Sequence, residues 1–401
     1  MKIVKIFIKI LLWIIGVFLF ILAVQYLFAP VYNFQDPRPF SGNNLYNPYQ
    51  DLDSNHWRKS NFQVQSRAWA GVTDGSENTN EMIDSVFRFL GYDVIGISDY
   101  MHINKYGKEK DSWIPIYEHG YSIRKHHHVC IGAEKVVWHD YALFQSLHHK
   151  QHMIDRLRPH TEVVIMAHPR FMGAFDPEDF TWLRNFDGIE ILNYFRISIA
   201  HWDSALSAGN YVIGIGNDDV HDIMNPDEVG QFLTLVNSES LHGDSIINAM
   251  KHHKTIAVEI FRYLGDSWEI RKQKHDNLEQ FREARLYGDT LRVKFDRPAE
   301  AIRFVGQSGK VRKITEEQSE ANYIFQPEDT YIRTEIEFPT GNTFYLNPVI
   351  RTPDTTPETP DLPDRNLLYT WIYRLLVAAS IAFVVFNIVY LRKRFKKRRK
   401  R

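Results

Sequence analysis

Only one cysteine, Cys130, occurs in 401 residues, which excludes an internal disulfide. The glycine-rich loop of a dinucleotide site is missing as well: "GIG" at 214–216 lacks the third glycine and the helix that should come after it. No internal repeat is visible. Positive charge is scarce over most of the chain. The net charge is −1, yet nine cations sit in the last ten residues and three lysines lie at positions 2, 5 and 9, so the remainder carries about −13. An acidic body of that kind has no electrostatic footprint for nucleic acid, and no nucleic-acid partner is expected.

Charge is absent altogether from residues 10–29, "ILLWIIGVFLFILAVQYLFA". Twenty apolar residues reach across a bilayer. A cleaved signal peptide usually has a shorter apolar core and a small-residue cleavage site, which "QYLFAPVYNF" does not offer, so residues 1–30 are read as an uncleaved anchor. A second apolar segment covers 367–391, interrupted once by Arg374, and "RKRFKKRRKR" comes directly after it at 392–401. A basic block beside a span marks the cytoplasmic side. The reading is therefore an integral membrane protein with two spans and both termini cytoplasmic. Its main body is extracytoplasmic, periplasmic if the cell is Gram-negative.

Between the spans the pattern changes several times. Residues 31–59, rich in Pro, Asn, Asp and Tyr, read as a connector. From 60 to 265, short apolar runs alternate with helical patterns, which implies a parallel sheet. About seven such runs predict an α/β fold built as a distorted (β/α)7 barrel. Residues 280–352 carry short alternating segments between turns and predict a small antiparallel β-sandwich. Residues 353–366 form a Pro-rich linker.

In a β/α barrel the site forms at the C-terminal ends of the strands. Polar residues stand there after "VIGIS" (Asp99), "VCIGA" (Glu134), "VVIMA" (His168), "EIL" (Asn193) and "VIGIGN" (Asp218, Asp219 and His221). Carboxylates and imidazoles in one mouth suit a divalent metal: zinc, manganese or iron.

"TDG" at 73–75, "GYDVIGISDY" at 91–100, "GAEKVVWH" at 132–139, "VVIMAHP" at 163–169 and "GNDDVH" at 216–221 together resemble the PHP (polymerase and histidinol phosphatase) family of metal-dependent phosphoesterases. The resemblance covers about half of the chain. It implies one metal site on Glu134, His139 and His168, with Glu134 bridging. Asp219 and His221 would close the other sites, and Asp74 and Asp99 would orient ligands. The chain departs from the family at "NFQVQS": Gln63 and Gln65 stand where the family has His-x-His. Tyr100 replaces another histidine, with His102 two residues on. A neutral amide oxygen is a weak ligand beside imidazole, so a reduced complement of one metal, or none, is expected.

The expectation is a membrane-anchored phosphoesterase acting on a small phosphorylated substrate. Asp219 or His221 would handle the proton and Arg170 or Arg196 would hold the phosphate. The alternative is an inactive barrel that binds a ligand or a protein in the same mouth. Adjacent histidines diverge on regular structure, so the runs at 126–128, 148–149 and 252–253 are not read as chelating clusters. His152 and His160 are read as surface residues of a helix. Trp69 either caps the pocket or packs in the core.

Overall fold

The computed structural model describes residues 2–73, 75–358 and 361–398. Asp74, expected to orient ligands, lies outside them. Among the described residues the strands form two principal sheets, not one closed ring. The five-stranded sheet runs Ile116–His119, His128–Ala133, Thr161–Met166, Gly188–Asn193, Ile213–Asn217. The ten-stranded sheet runs from Phe281–Tyr287 through Thr290–Gly306, Tyr331–Glu337, Thr343–Thr352, Thr255–Glu259 and Phe232–Asn237 to Trp57–Asn61 and Val94–Ile95, with two further strands on side branches.

The mixed α/β class stands, and the closed barrel does not appear for two reasons. First, the chain reverses at Gly120–Lys125, so His128–Ala133 runs antiparallel to both Ile116–His119 and Thr161–Met166. Only the last two pairings of that sheet are parallel. Second, Thr343–Thr352 pairs with Thr255–Glu259, which carries the larger sheet on into the 280–352 region. One apolar core accordingly holds Phe87, Val64 and Val258 together with Phe281, Phe295, Phe304 and Ile336.

The run "NFQVQS" at 61–66 reads as a strand, but only its first residue lies in one. The regular strand is Trp57–Asn61. Beyond it the chain stays extended, pinned by Phe62 N donating to Asn217 Oδ1 (2.7 Å) and Gln65 N donating to the Val220 carbonyl (3.0 Å). Helix Asn80–Phe89 starts where Thr79 accepts from Met82 N and stops at Leu90, with Gly91 next at φ +79°. Its buried stripe is Ile83 and Phe87, four residues apart on one face.

Helices Lys2–Gln25 and Leu367–Arg398 contribute to two segments, Ile6–Phe28 and Leu367–Tyr390, long and apolar enough to cross a membrane. Among the described residues nothing buries the apolar window of either one, so neither is a core helix. Their inner ends meet against one lobe. Tyr26 Oη accepts from Leu143 N and Phe144 N, each at 3.1 Å. His149 Nε2 lies 3.0 Å from Tyr373 Oη, and Thr370 Oγ1 accepts from Val31 N at 2.8 Å.

Candidate metal centre

The two sheets approach each other at one end, where isolated bridges join Val64 to Val220 and Tyr100 to Glu118. Strand Ile116–His119 is buried on both faces, so Glu118 points inward with no water to solvate it. Its carboxylate takes three partners instead. Oε1 lies 2.5 Å from His127 Nδ1 and 3.2 Å from His168 Nε2, and Oε2 accepts from Gln65 Nε2 at 2.6 Å. Burial pushes the Glu118 carboxyl up, but the two imidazoles outweigh it and hold the group well below the usual range. His168 responds in the opposite sense. Burial alone would strip its proton, yet Glu118 and Asp219 hold its pKa up at about 9.

Glu118, His127 and His168 each offer one ligand atom, all within 4.8 Å of one another and all buried. Behind them Glu190 accepts from Asn193 Nδ2, Asn217 Nδ2 and His168 N, each at 2.8 Å. Burial raises its pKa to about 8. Asp219 Oδ2 takes Asn193 Nδ2 at 3.2 Å and stands 3.9 Å from His168 Nε2. Its other oxygen, Oδ1, is buried without a hydrogen-bond partner among the described residues, as is His168 Nδ1. Burial moves the Asp219 pKa upward as well. Three buried carboxyl groups lie beside two imidazoles, and burial pushes two of the three up, so a divalent cation there would favour their ionised forms. Two imidazoles and one carboxylate are also the ligand number and type of catalytic zinc sites that keep a position open. The residues fit a metal.

Local backbone strain gathers here. His168 (φ +28°) and Asp219 (φ +55°) both leave the ordinary region for non-glycine residues, a condition that persists where surrounding contacts over-determine it. Gly120, at φ +134°, packs on the imidazole: a Cβ there would lie 2.6 Å from His127 Cδ2. The turn that reverses the chain and the placement of His127 therefore both depend on this glycine.

The expected set Glu134, His139 and His168 is not brought together. Glu134 is 75% exposed and faces His160 at 3.4 Å. It stands just past the C-terminal end of His128–Ala133, and Ala133 pairs with Thr161 at the start of the next strand, whereas His168 lies beyond that strand's far end. Six strand residues separate those ends, roughly 20 Å. His139 instead packs against Tyr141 and His152, and His152 is buried, its Nδ1 2.6 Å from Tyr141 Oη, not on the surface.

Asp99 serves the chain rather than the cavity. It accepts from Ser66 N, Ser66 Oγ and Asn104 Nδ2, and His102 remains half exposed, 3.6 Å away. Asp218 accepts the backbone N–H groups of Gly230, Gln231 and Phe232 and so fixes the next loop. His221 does face the cavity, with Tyr100 Oη 3.4 Å from its Nε2. The cavity, about 520 Å3, is bordered by His127, His168, Asp219, His221 and Lys125. Arg170 and Arg196 do not border it; Arg196 turns back onto the Phe195 carbonyl. Lys125 is the cation at the mouth.

The two glutamines differ. Gln65 is engaged with Glu118, whereas both amide atoms of Gln63 are buried without a partner among the described residues. A buried amide left unpaired costs about 1–3 kcal/mol. Gln63→Leu should therefore leave stability unchanged or raise it by up to about 2 kcal/mol with chelator present. Thermal melts of the detergent-solubilised chain check this, and a clear loss of stability would show that the amide has a partner.

No protein-family model matches the chain, and no curated protein matches it in sequence. Among solved structures it is similar to the crystal structure of a two-domain protein containing a predicted PHP-like metal-dependent phosphoesterase from Bacteroides vulgatus ATCC 8482. Identity is 13%, coverage is 83% of this chain and 99% of that one, and the TM-score is 0.39. With so distant a likeness, the chemistry of this chain has to be read from its own side chains.

Proposed function

We propose that the chain is a membrane-anchored, PHP-like metal-dependent phosphoesterase whose ligands are Glu118, His127 and His168. The observation that carries this is the convergence of those three buried side chains on one point beside an open cavity. A divalent metal bound there would lower the pKa of a bound water and neutralise charge on the phosphoryl oxygens. The remaining work falls to the chain. Lys125 borders the cavity and binds the phosphate as a point charge. Asp219 Oδ1, buried and without a hydrogen-bond partner among the described residues, accepts the proton of the attacking water. The water oxygen bonds to phosphorus as the ester P–O bond breaks, and His221, which also borders the cavity, supplies a proton to the departing alkoxide. Asn193 keeps Asp219 oriented through its contact with Glu190.

A second reading has one observation in its favour. Gln65 occupies Glu118 Oε2 with a neutral amide at the position where the family resemblance places a ligand histidine. That arrangement suits a fold that binds a phosphorylated ligand without turning it over.

One preparation separates the two. The full chain is purified in detergent, its bound metal is measured, and hydrolysis of an aryl phosphate is followed with manganese or zinc added. About one metal per chain with metal-dependent turnover is the expected result. Metal without turnover supports the binding reading, and no metal at all overturns both the site and the activity.

A further inference from the structure

A second cavity, about 590 Å3, adjoins the first and shares Thr73, Tyr100, Lys125 and His127 with it. Its outer wall is apolar and open to solvent. Val72 is 86% exposed and Trp138 60%; Trp69 packs edge-on against Trp138 at 6.0 Å and donates its indole N–H to the Tyr100 carbonyl. Exposed tryptophan and valine gathered at the entrance of a polar site form an apolar patch of the kind that marks a protein or membrane contact.

The same wall is tied to the first apolar helix. Tyr121, which lines the cavity, donates from its Oη to Gln25 Oε1 at 3.1 Å, and Asp140 N donates to the same oxygen at 3.3 Å. Gln25 is the last residue of helix Lys2–Gln25. Phe144, exposed beside this loop, packs at 5.3 Å on Tyr26. A helix that crosses a bilayer therefore brings this entrance to the membrane surface, where tryptophan and tyrosine rings partition.

The geometry points to a membrane phospholipid ending in a phosphomonoester as the molecule admitted, with its phosphate held at Lys125 and the metal ligands and its acyl chains against Trp69, Val72 and Trp138. This deepens the phosphoesterase reading by naming the substrate class, and rests on it for the floor of the site. The polarity order supports it: cation and imidazoles inside, aromatic and aliphatic rim outside, bilayer next. Among occupants, an amphiphile alone matches both halves.

Because Cys130 is buried, Val72→Cys at its exposed position supplies one accessible thiol for an environment-sensitive fluorophore. The labelled full chain is placed in phosphatidylcholine nanodiscs, with or without phosphatidate, and manganese is added. The expected result is an emission change that requires phosphatidate in the disc and is not reproduced by soluble glycerol 3-phosphate. Lys125→Ala should weaken that response at least about tenfold, the loss expected for one charge-assisted hydrogen bond. No phosphatidate-dependent change, or an equal response to glycerol 3-phosphate, overturns the inference. Aryl phosphate turnover on the same sample keeps the two readings apart. Turnover without a lipid response sinks the lipid inference alone; a lipid response without turnover upholds the lipid site and removes the phosphoesterase reading.

Discussion

Glu118→Gln should release the bound metal and lower phosphate-ester turnover at least about a hundredfold, while Glu134→Ala leaves both unchanged. The substitution keeps the side-chain volume, so the loss reads charge and ligand character rather than a cavity. Losing a group that merely orients a metal ligand already costs about 10–100-fold in affinity or activity, and Glu118 is itself one of only three candidate ligands among the described residues. It is also the acceptor that keeps His127 and His168 in place, at 2.5 and 3.2 Å, so both imidazoles lose their common partner. Glu134 is exposed, paired with His160 and remote from the cavity, so it should behave as an ordinary surface carboxylate. Metal content per chain and turnover of an aryl phosphate, measured on both variants, decide the matter. If Glu134→Ala strips the metal and Glu118→Gln does not, the centre has been placed on the wrong strand.

That contrast also shows how far the sequence can be read. His168 and Asp219 stand where alternation places them, after Thr161–Met166 and Ile213–Asn217, because those strands run parallel with their neighbour. The same rule assigns Glu134 to the mouth, and there it fails: its strand is antiparallel, so its C-terminal end lies at the far end of the sheet. The same reversal brings the strand's other end to the mouth, and His127 with it. Divergence of neighbours along a strand argues against three successive histidines as a chelating cluster, and they do diverge. His126 turns to Ser122, His127 to Glu118 and His128 to His119. One of them suffices as a ligand. Glu118 leaves no signal at all, since a four-residue strand reading "IYEH" shows neither period nor flanking motif, and its role is identified only in three dimensions: complete burial with three polar partners. The apolar helices need no such context, because length and absence of charge are properties of the sequence alone.

Acid should unfold this chain well above the range in which carboxylates titrate. Several histidines outside the metal centre are buried and held neutral, among them His149 and His253, which burial lowers to about 4, and His152, which it lowers to about 3. Their neighbours reinforce burial. His148 and His139 face His149, while His139, Arg156 and Arg365 face His152, so charging either ring adds a cation to cations. At His149 the hydrogen bonds also oppose it, because Nδ1 accepts from Ser146 N at 3.0 Å to cap helix Leu147–Leu157 and cannot do so once protonated. The direction is set by linkage. In the unfolded chain each ring takes a proton near pH 6.5, about the unperturbed value, whereas in the folded chain it resists until pH 4 or below. The unfolded state thus binds more protons between those limits, so stability is full above about pH 6.5 and falls as the pH drops toward 4. Each group accounts for on the order of 3 kcal/mol across that window, and a domain has only about 5–15 kcal/mol in total. Melting temperatures of the detergent-solubilised chain at about pH 7.5 and about pH 5 should differ steeply. His253→Asn should flatten the dependence by roughly one group's share, because it removes the titrating ring that stacks on Tyr211 at 3.8 Å. Stability that stays level down to pH 4.5 or so would mean that these rings are not held neutral, and that the packing around His149 and His152 beside the apolar helices, and around His253 against Tyr211, is more open to water than the contacts imply.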